Sequence, residues 1–389
     1  MDPEIRKSID ETADEAAALR HELHQHPEIR FAEHWTSDRV SRFLADAEIP
    51  HSRGHVQGTG IVATLKGRGD KTVVLRADMD ALELQELSGL AYSSSIPNRM
   101  HACGHDGHMA ILCGTAKVLS RHLDKLKGTV KFIFQPAEEL GAGGRCIVEE
   151  GLLEGADAAF ALHTWHALPL GKIGIKNGPM MASADWFAVD IKGIGCHGAD
   201  PAAGVDPIVV AAHIITALQT VVSREINAWD AGVVTVGRVE AGVASNIIPE
   251  RARLEGTFRA LTEEVRTTIA SAIQRIAEQT AAAFRATASV AFGPDGYVPL
   301  VNDPEMADRV RKTVVETLGP DALVEIDHPS MGAEDFAFYL QKVPGAMFYL
   351  GNYSASTPHP IHSPHYVFND DAIPIGMRVF CDLVLDFLG

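Results

Sequence analysis

"TVVLRADMD", residues 72–80, is a short apolar run rich in β-branched residues that ends in two aspartates. Two more runs of this kind follow, "TVKFIFQ" (129–135) and "AAFALH" (158–163). Between the first two lies "HMAILCGTAKVLSRHL" (108–123), whose apolar residues recur at helical spacing. Strands that alternate with helices predict an α/β unit: a mainly parallel sheet with helices on both faces. Sheets of this kind bind ligands outside the carboxyl ends of their strands. The residues that follow each run are therefore the place to look for chemistry.

From residue 183 the pattern changes. Strand (184–192), helix (206–225), strand (231–240), strand (251–260), helix (262–284) and strand (286–293) succeed one another. That β-α-β-β-α-β order is the ferredoxin-like α+β unit. A helix "DPEMADRVRKTVVETLG" (303–319), a buried strand "GAMFYLG" (345–351) and a closing helix "IPIGMRVFCDLVLDFL" (373–388) come next. The expectation is an α/β catalytic domain formed by residues 1–182 and 298–389, interrupted by a ferredoxin-like domain over 183–297.

Bulk properties narrow the function. The 389 residues are 46% hydrophobic and 22% charged, the composition of a globular enzyme and not of a disordered chain. Lys and Arg total 34 against 51 Asp and Glu, a net charge of −17, which argues against nucleic acid or an anionic membrane as partner. The N-terminus "MDPEIRKSIDETADEAAALRHEL" has no apolar core of a signal peptide, and no apolar run is expected to span a membrane. Five scattered cysteines without framework spacing read as reduced thiols, and the expected location is the cytoplasm.

Reactive side chains collect at the strand ends. "VVLR" runs into Asp78 and Asp80, "VKFIF" into Glu138 and Glu139, and "AFAL" into His163. "RMHACGHDGHMA" (99–110) places Cys103 between His101 and His105 at the start of a helix, and "IHSPH" (361–365) follows the last strand. Each segment alone reads as an ordinary polar loop, but five of them on one rim suit a first-row divalent metal. Thiolate, imidazole and carboxylate are the usual zinc ligands, and manganese, cobalt or nickel also take mixed donors. Ligands dispersed along the chain favour a catalytic site over a structural one. A carboxylate outside the ligand set is then needed as general base. Glu138 and Glu139 can supply one ligand and one base, though spacing does not say which is which. A thiol hydrolase fits poorly, because Cys103 and His105 are not spaced as nucleophile and base. No G-x-S-x-G occurs. "GIGCHG" (193–198) matches a dinucleotide-binding loop only by chance, because its helix begins later, near Asp206.

Together these stretches resemble the M20 metallopeptidase family, in particular the amidohydrolase branch with hippurate hydrolase and the plant auxin-conjugate hydrolases. The matching segments are "LRHELHQHPE" (19–28), "LRADMDAL" (75–82), "MHACGHDGHMA", "FQPAEE" (134–139), "ALHTW" (161–165), "GCHGADP" (195–201), "NIIPERARLEGTFRA" (246–260), "MGAEDFAFY" (331–339) and "IHSPHYVFND" (361–370). The resemblance implies a hydrolase of N-acyl amino acids with two divalent metal ions, bound by Cys103, His105, Glu139, His163 and His362, and Glu138 as general base. It also implies that the inserted domain forms a homodimer. There His197 would stabilise the oxyanion, and Asn246 and Arg259 would grip the substrate carboxylate. The chain departs from the branch at Ala202, Glu83 and His166, positions that bear on the shape of the acyl pocket. A dipeptidase on the same fold and a non-catalytic metal-binding protein are the other readings.

Overall fold

In the computed structural model the structure describes residues 2–294 and 296–389. Contacts divide the chain into two compact units. The first comprises residues through Gly178, Asn302–His328 and Asp335–Gly389; the second comprises Pro179–Val301 and Pro329–Glu334.

The first unit is built on an eight-stranded sheet in the order His51–His55, Gly60–Lys66, Thr129–Gln135, Thr72–Asp78, Ala158–Pro169, Gly345–Tyr353, Ile173–Ile175, Leu323–Glu325. The four central strands are parallel neighbours, and antiparallel pairs flank them. The helix His105–Ser120 is buried along almost its whole length, Lys117 and Ser120 being the exceptions. It packs against the sheet and between Pro3–Gln25 and Ala372–Leu388, which is why its sequence is apolar nearly all round.

Register brings the reactive strand ends level. Asp78 pairs with Gln135, and Arg76 pairs with Ala161, so His163 stands two residues further on, at the height of Asp78. The strand carrying His163 does not end there, as its local sequence suggested. It continues to Pro169 because Gly345–Tyr353 pairs alongside it, Tyr349 opposite His163 and Leu350 opposite Thr164.

The second unit is a four-stranded antiparallel sheet in the order Gly232–Ala241, Arg251–Ala260, Asp185–Lys192, Thr287–Phe292, with helices Pro207–Thr220 and Glu263–Ala283 packed on it. Alternation along Asp185–Lys192 sends Phe187, Val189 and Ile191 into the core. Asp206 and Thr262 cap the two helices by accepting from the amides of Ile208 and Val265. The segment Pro207–Glu225, 19 residues, is long and apolar enough to cross a membrane by length and composition alone. It reads so because it is apolar on two faces: Val210, Ala211, Ile214 and Leu218 are buried, while Ile208 and Val209 are exposed.

A buried ion network ties the central strands together. The Arg76 guanidinium donates to Asp78 Oδ2 at 2.7 Å, Gln135 Oε1 at 3.1 Å and Asp335 Oδ1 at 2.8 Å, with Asp78 and Asp335 both out of water. Removing one partner of a buried pair strands the other charge. Arg76→Met should therefore destabilise the protein by about 3–5 kcal/mol in denaturant unfolding. A loss below about 1 kcal/mol would contradict this role.

Candidate metal centre

The helix His105–Ser120 opens where the chain must turn sharply. Gly104 lies in the left-handed region at φ 89°, and a Cβ there would stand 2.4 Å from Thr164 Oγ1 and 2.8 Å from the Tyr366 hydroxyl. Glycine at this point lets the helix start close to the sheet and delivers Cys103 and His105 together.

Three donor atoms, from Cys103, His105 and Glu139, lie within 4.8 Å of one another. Cys103 Sγ is also 3.3 Å from His163 Nε2, and Glu139 Oε1 stands 3.2 Å from His362 Nε2 and 3.9 Å from His105 Nε2. The five candidate ligands therefore converge on one cluster. Backbone carbonyls orient two of the imidazoles: His105 Nδ1 is 2.8 Å from the Asp80 carbonyl, and His163 Nδ1 is 2.7 Å from that of Thr164. His105 Nε2 is buried without a hydrogen-bond partner. An imidazole anchored through one nitrogen with the other bare in the interior is the arrangement a metal ligand requires. His362 holds a left-handed backbone at φ 63°, with its amide donating to the Ala102 carbonyl at 2.8 Å.

A second group, Asp78, His105, His108 and His163, also lies within metal reach. Two of its members, Asp78 and His108, are already engaged, however. His108 Nδ1 donates to Asp78 Oδ1 at 2.7 Å, His108 Nε2 accepts from the Thr164 amide at 2.9 Å, and Asp78 Oδ2 accepts from Arg76. We read Asp78 and His108 as a hydrogen-bonded wall of the centre and not as ligands. Nothing in the spacing of "RMHACGHDGHMA" reveals that both nitrogens of His108 are used.

Asp80 arranges the two glutamates. Its Oδ1 accepts the Glu138 amide at 2.9 Å and its Oδ2 accepts the Glu139 amide at 3.0 Å. Glu33, which the sequence did not suggest as functional, accepts the next amide back, that of Ala137, at 3.0 Å. Glu139 is the member of the pair whose oxygen faces His105 and His362. Glu138 is buried beside it and outside the Cys103–His105–Glu139 triplet.

Without a cation the electrostatics of this cluster conflict. Burial, followed by the charges of Glu139, Glu138 and Asp78, pushes the Cys103 thiol well above its ordinary value. Burial and the neighbouring His108 push His163 well below the usual imidazole range. Burial opposes charge on His105, but Asp78 and Asp80 outweigh it and push it up to about 10. Divalent cations would favour thiolate, neutral imidazole and carboxylate at once, so the donor set fits such ions.

Behind the cluster, residues of "LRHELHQHPE" hold the helix that begins at His105. Arg20 donates to Asp106 Oδ2 at 3.0 Å, and His24 bridges Asp106 (2.9 Å) and Glu86 (3.2 Å), all of them buried.

His197, Asn246 and Arg259 belong to the second unit. His197 pairs with Ile247 in a two-residue ribbon, and the Gly198 amide donates to the Asn246 carbonyl at 2.8 Å, so His197 and Asn246 are neighbours. Arg259 lies on a separate strand, donating to Thr257 Oγ1 at 2.9 Å, with its guanidinium 6.0 Å from the Trp186 ring.

Comparison with known proteins agrees with this chemistry. Residues 74–386 match the model of peptidase family M20/M25/M40. The chain is 39% identical to N-acetylcysteine deacetylase of Bacillus subtilis (strain 168), over 94% of this chain and 95% of that one. It is 36% identical to IAA-amino acid hydrolase ILR1-like 4 of Arabidopsis thaliana, over 95% and 85% of the respective chains. Among solved structures it resembles the Bacillus subtilis YXEP protein, a dinuclear metal binding peptidase from the M20 family, with a TM-score of 0.86 and 36% identity over 97% and 99% of the two chains.

The His24 network makes a pH prediction. Burial disfavours charge on His24, but Asp106 and Glu86 raise it to about 9 from an ordinary 6.5. Stability from a raised group is complete below its unfolded value and is lost as pH climbs through the folded one. Metal-free protein should therefore lose thermal stability between pH 6.5 and about 9, by roughly 3 kcal/mol at most for this group. His24→Gln should flatten that slope; an identical slope in both proteins would contradict the assignment.

Proposed function

Because this chain belongs to peptidase family M20/M25/M40, we propose that it is a two-metal amidohydrolase that splits an N-acyl amino acid into a carboxylic acid and a free amino acid. The observation that carries this reading is the convergence of Cys103, His105, Glu139, His163 and His362 around the bare, buried His105 Nε2, with a second carboxylate, Glu138, fixed beside them. When bound there, divalent cations supply Lewis acidity that polarises an amide carbonyl and lowers the pKa of a water.

The remaining work falls to this chain's own residues. Cys103, His105, Glu139, His163 and His362 hold the cations. Glu138 takes a proton from the attacking water and passes it to the leaving nitrogen. The low exposure of Glu138 suits that task, because little bulk water competes for the proton. His197 offsets charge on the carbonyl oxygen, and Asn246 and Arg259 bind the carboxylate of the amino-acid portion. Two relatives, one named an N-acetylcysteine deacetylase and the other an IAA-amino acid hydrolase, support a substrate of this class. The second unit pairs two copies of the chain, and His197, exposed on its ribbon, serves the metal centre of the partner copy.

The test is a panel of N-acetyl, N-benzoyl and N-indoleacetyl amino acids, with dipeptides bearing a free α-amino group as controls. Chelated protein should be inactive, and added zinc, manganese or cobalt should restore turnover of the N-acyl compounds. Glu138→Gln should keep its metal and lose about 10²–10⁴-fold in kcat, since an amide cannot accept the proton. Glu139→Gln should lose metal first; the opposite pattern would exchange their roles.

The partner-copy arrangement has its own test. His197→Ala lacks an oxyanion donor worth about 3 kcal/mol, or roughly a hundredfold in rate. Subunits of this variant exchanged with subunits of Glu138→Gln should regain activity, because one site per heterodimer then combines intact Glu138 with intact His197. Verified heterodimers that stay inactive would rule this arrangement out.

A further inference from the structure

Glu33 is fully buried in the first unit and accepts three hydrogen bonds. Its Oε1 accepts the amides of Phe31 and Ala137, each at 3.0 Å, and its Oε2 accepts the Thr59 hydroxyl at 3.0 Å. Ala137 is a non-glycine residue in the left-handed region, at φ 59°, directly before Glu138. Such a conformation persists only where its surroundings enforce it. Here three successive amides, those of Ala137, Glu138 and Glu139, are each taken by a carboxylate oxygen, the first by Glu33 and the other two by Asp80. The turn is also packed from the side of Glu33. Gly141 lies so close to Phe31 that a Cβ there would stand 2.7 Å from the ring, and a Cβ on Gly143 would stand 1.8 Å from the Pro136 carbonyl oxygen. The Ala137 carbonyl also accepts from the Gly143 amide at 3.0 Å, so the Glu33–Ala137 bond holds the amide side of a residue whose carbonyl side is tied within the turn.

We propose that Glu33 is a positioning residue for the reaction: it holds the left-handed Ala137 turn and thereby aims the Glu138 carboxylate. This rests on the reading of Glu138 as the general base. Glu33 makes its hydrogen bonds to Phe31, Ala137 and Thr59 and to none of the candidate ligands, so it acts through backbone. What it supplies is an acceptor at a fixed point, so a side chain of the same shape with an acceptor oxygen should serve nearly as well. In Glu33→Gln the amide oxygen can accept from Phe31 and Ala137 while the amide nitrogen donates to Thr59 Oγ1.

The experiment compares Glu33→Ala and Glu33→Gln with wild type in manganese-loaded protein, on whichever N-acyl amino acid the wild type turns over. In parallel, hydrogen–deuterium exchange is followed in the peptide spanning residues 136–142 of metal-free protein. Glu33→Ala should bind manganese as wild type does, keep KM within about twofold and lose at least about tenfold in kcat, with the Ala137 amide exchanging at least about tenfold faster. Glu33→Gln should stay within about threefold of wild type on both readouts. If Glu33→Ala does not fold, Thr59→Val replaces it; that variant keeps the carboxylate but removes one of its anchors, and should lower kcat and speed exchange in the same direction, by about threefold or more. Wild-type kcat in the folded variant, a loss confined to KM or manganese binding, unchanged Ala137 exchange, or a Glu33→Gln as impaired as Glu33→Ala would each overturn the proposal. Because exchange is read without substrate, an inactive wild type would refute the proposed function and leave the role of Glu33 in the turn separately decided.

Discussion

One carboxylate, that of Asp80, holds the centre together. Its two oxygens take the amides of Glu138 and Glu139, and the carbonyl of the same residue orients His105. Two consecutive amides bound to one carboxylate fix the backbone between them, so the two glutamate side chains must leave in different directions. One can then face the imidazoles while its neighbour does not. The proposed division between a ligand and a proton carrier would thus follow from a backbone constraint and need no difference in residue type. Asp80 can play this part because the strand Thr72–Asp78 is central and Arg76 anchors its end in a buried ion network.

The second governing fact is the charge imbalance of a largely buried cluster. A thiol pushed up, a histidine pushed down and several carboxylates packed in the interior form an arrangement with a large desolvation cost. It makes physical sense as a receptacle for divalent cations, which reverse the unfavourable terms together. The protein is a metal-dependent amide hydrolase of the M20 family, and its two layers of support follow from that chemistry. Arg20, His24 and Glu86 hold the helix that begins at His105 through Asp106, while Glu33 and Asp80 hold the glutamate turn.

Much of this was legible in the sequence because it is local. β-Branched runs ending in acidic residues marked the strands, the change of rhythm after residue 183 marked the antiparallel sheet, and cysteine, histidine and glutamate at strand ends marked the rim. What was illegible is non-local. The strand through His163 runs on to Pro169 because a partner nearly two hundred residues later pairs with it. Spacing could not separate Glu138 from Glu139, because the separation depends on Asp80, 58 positions before the first of them. Glu33 lies 104 positions from the amide it holds, and its own surroundings, "RFAEHWT", carry no periodic or motif signal. The helix from Pro207 is apolar on an exposed face as well as a buried one, which its spacing alone did not reveal.

The central claim, that five dispersed side chains form one two-metal site, is tested most directly by anomalous diffraction from crystals of the manganese-loaded protein. The account predicts two manganese peaks about 3.5–4 Å apart, ligated by Cys103, His105, Glu139, His163 and His362, with Glu138, Asp78 and His108 outside the coordination shells. A single peak, or manganese bound by Asp78 and His108 with Cys103 left free, would contradict it.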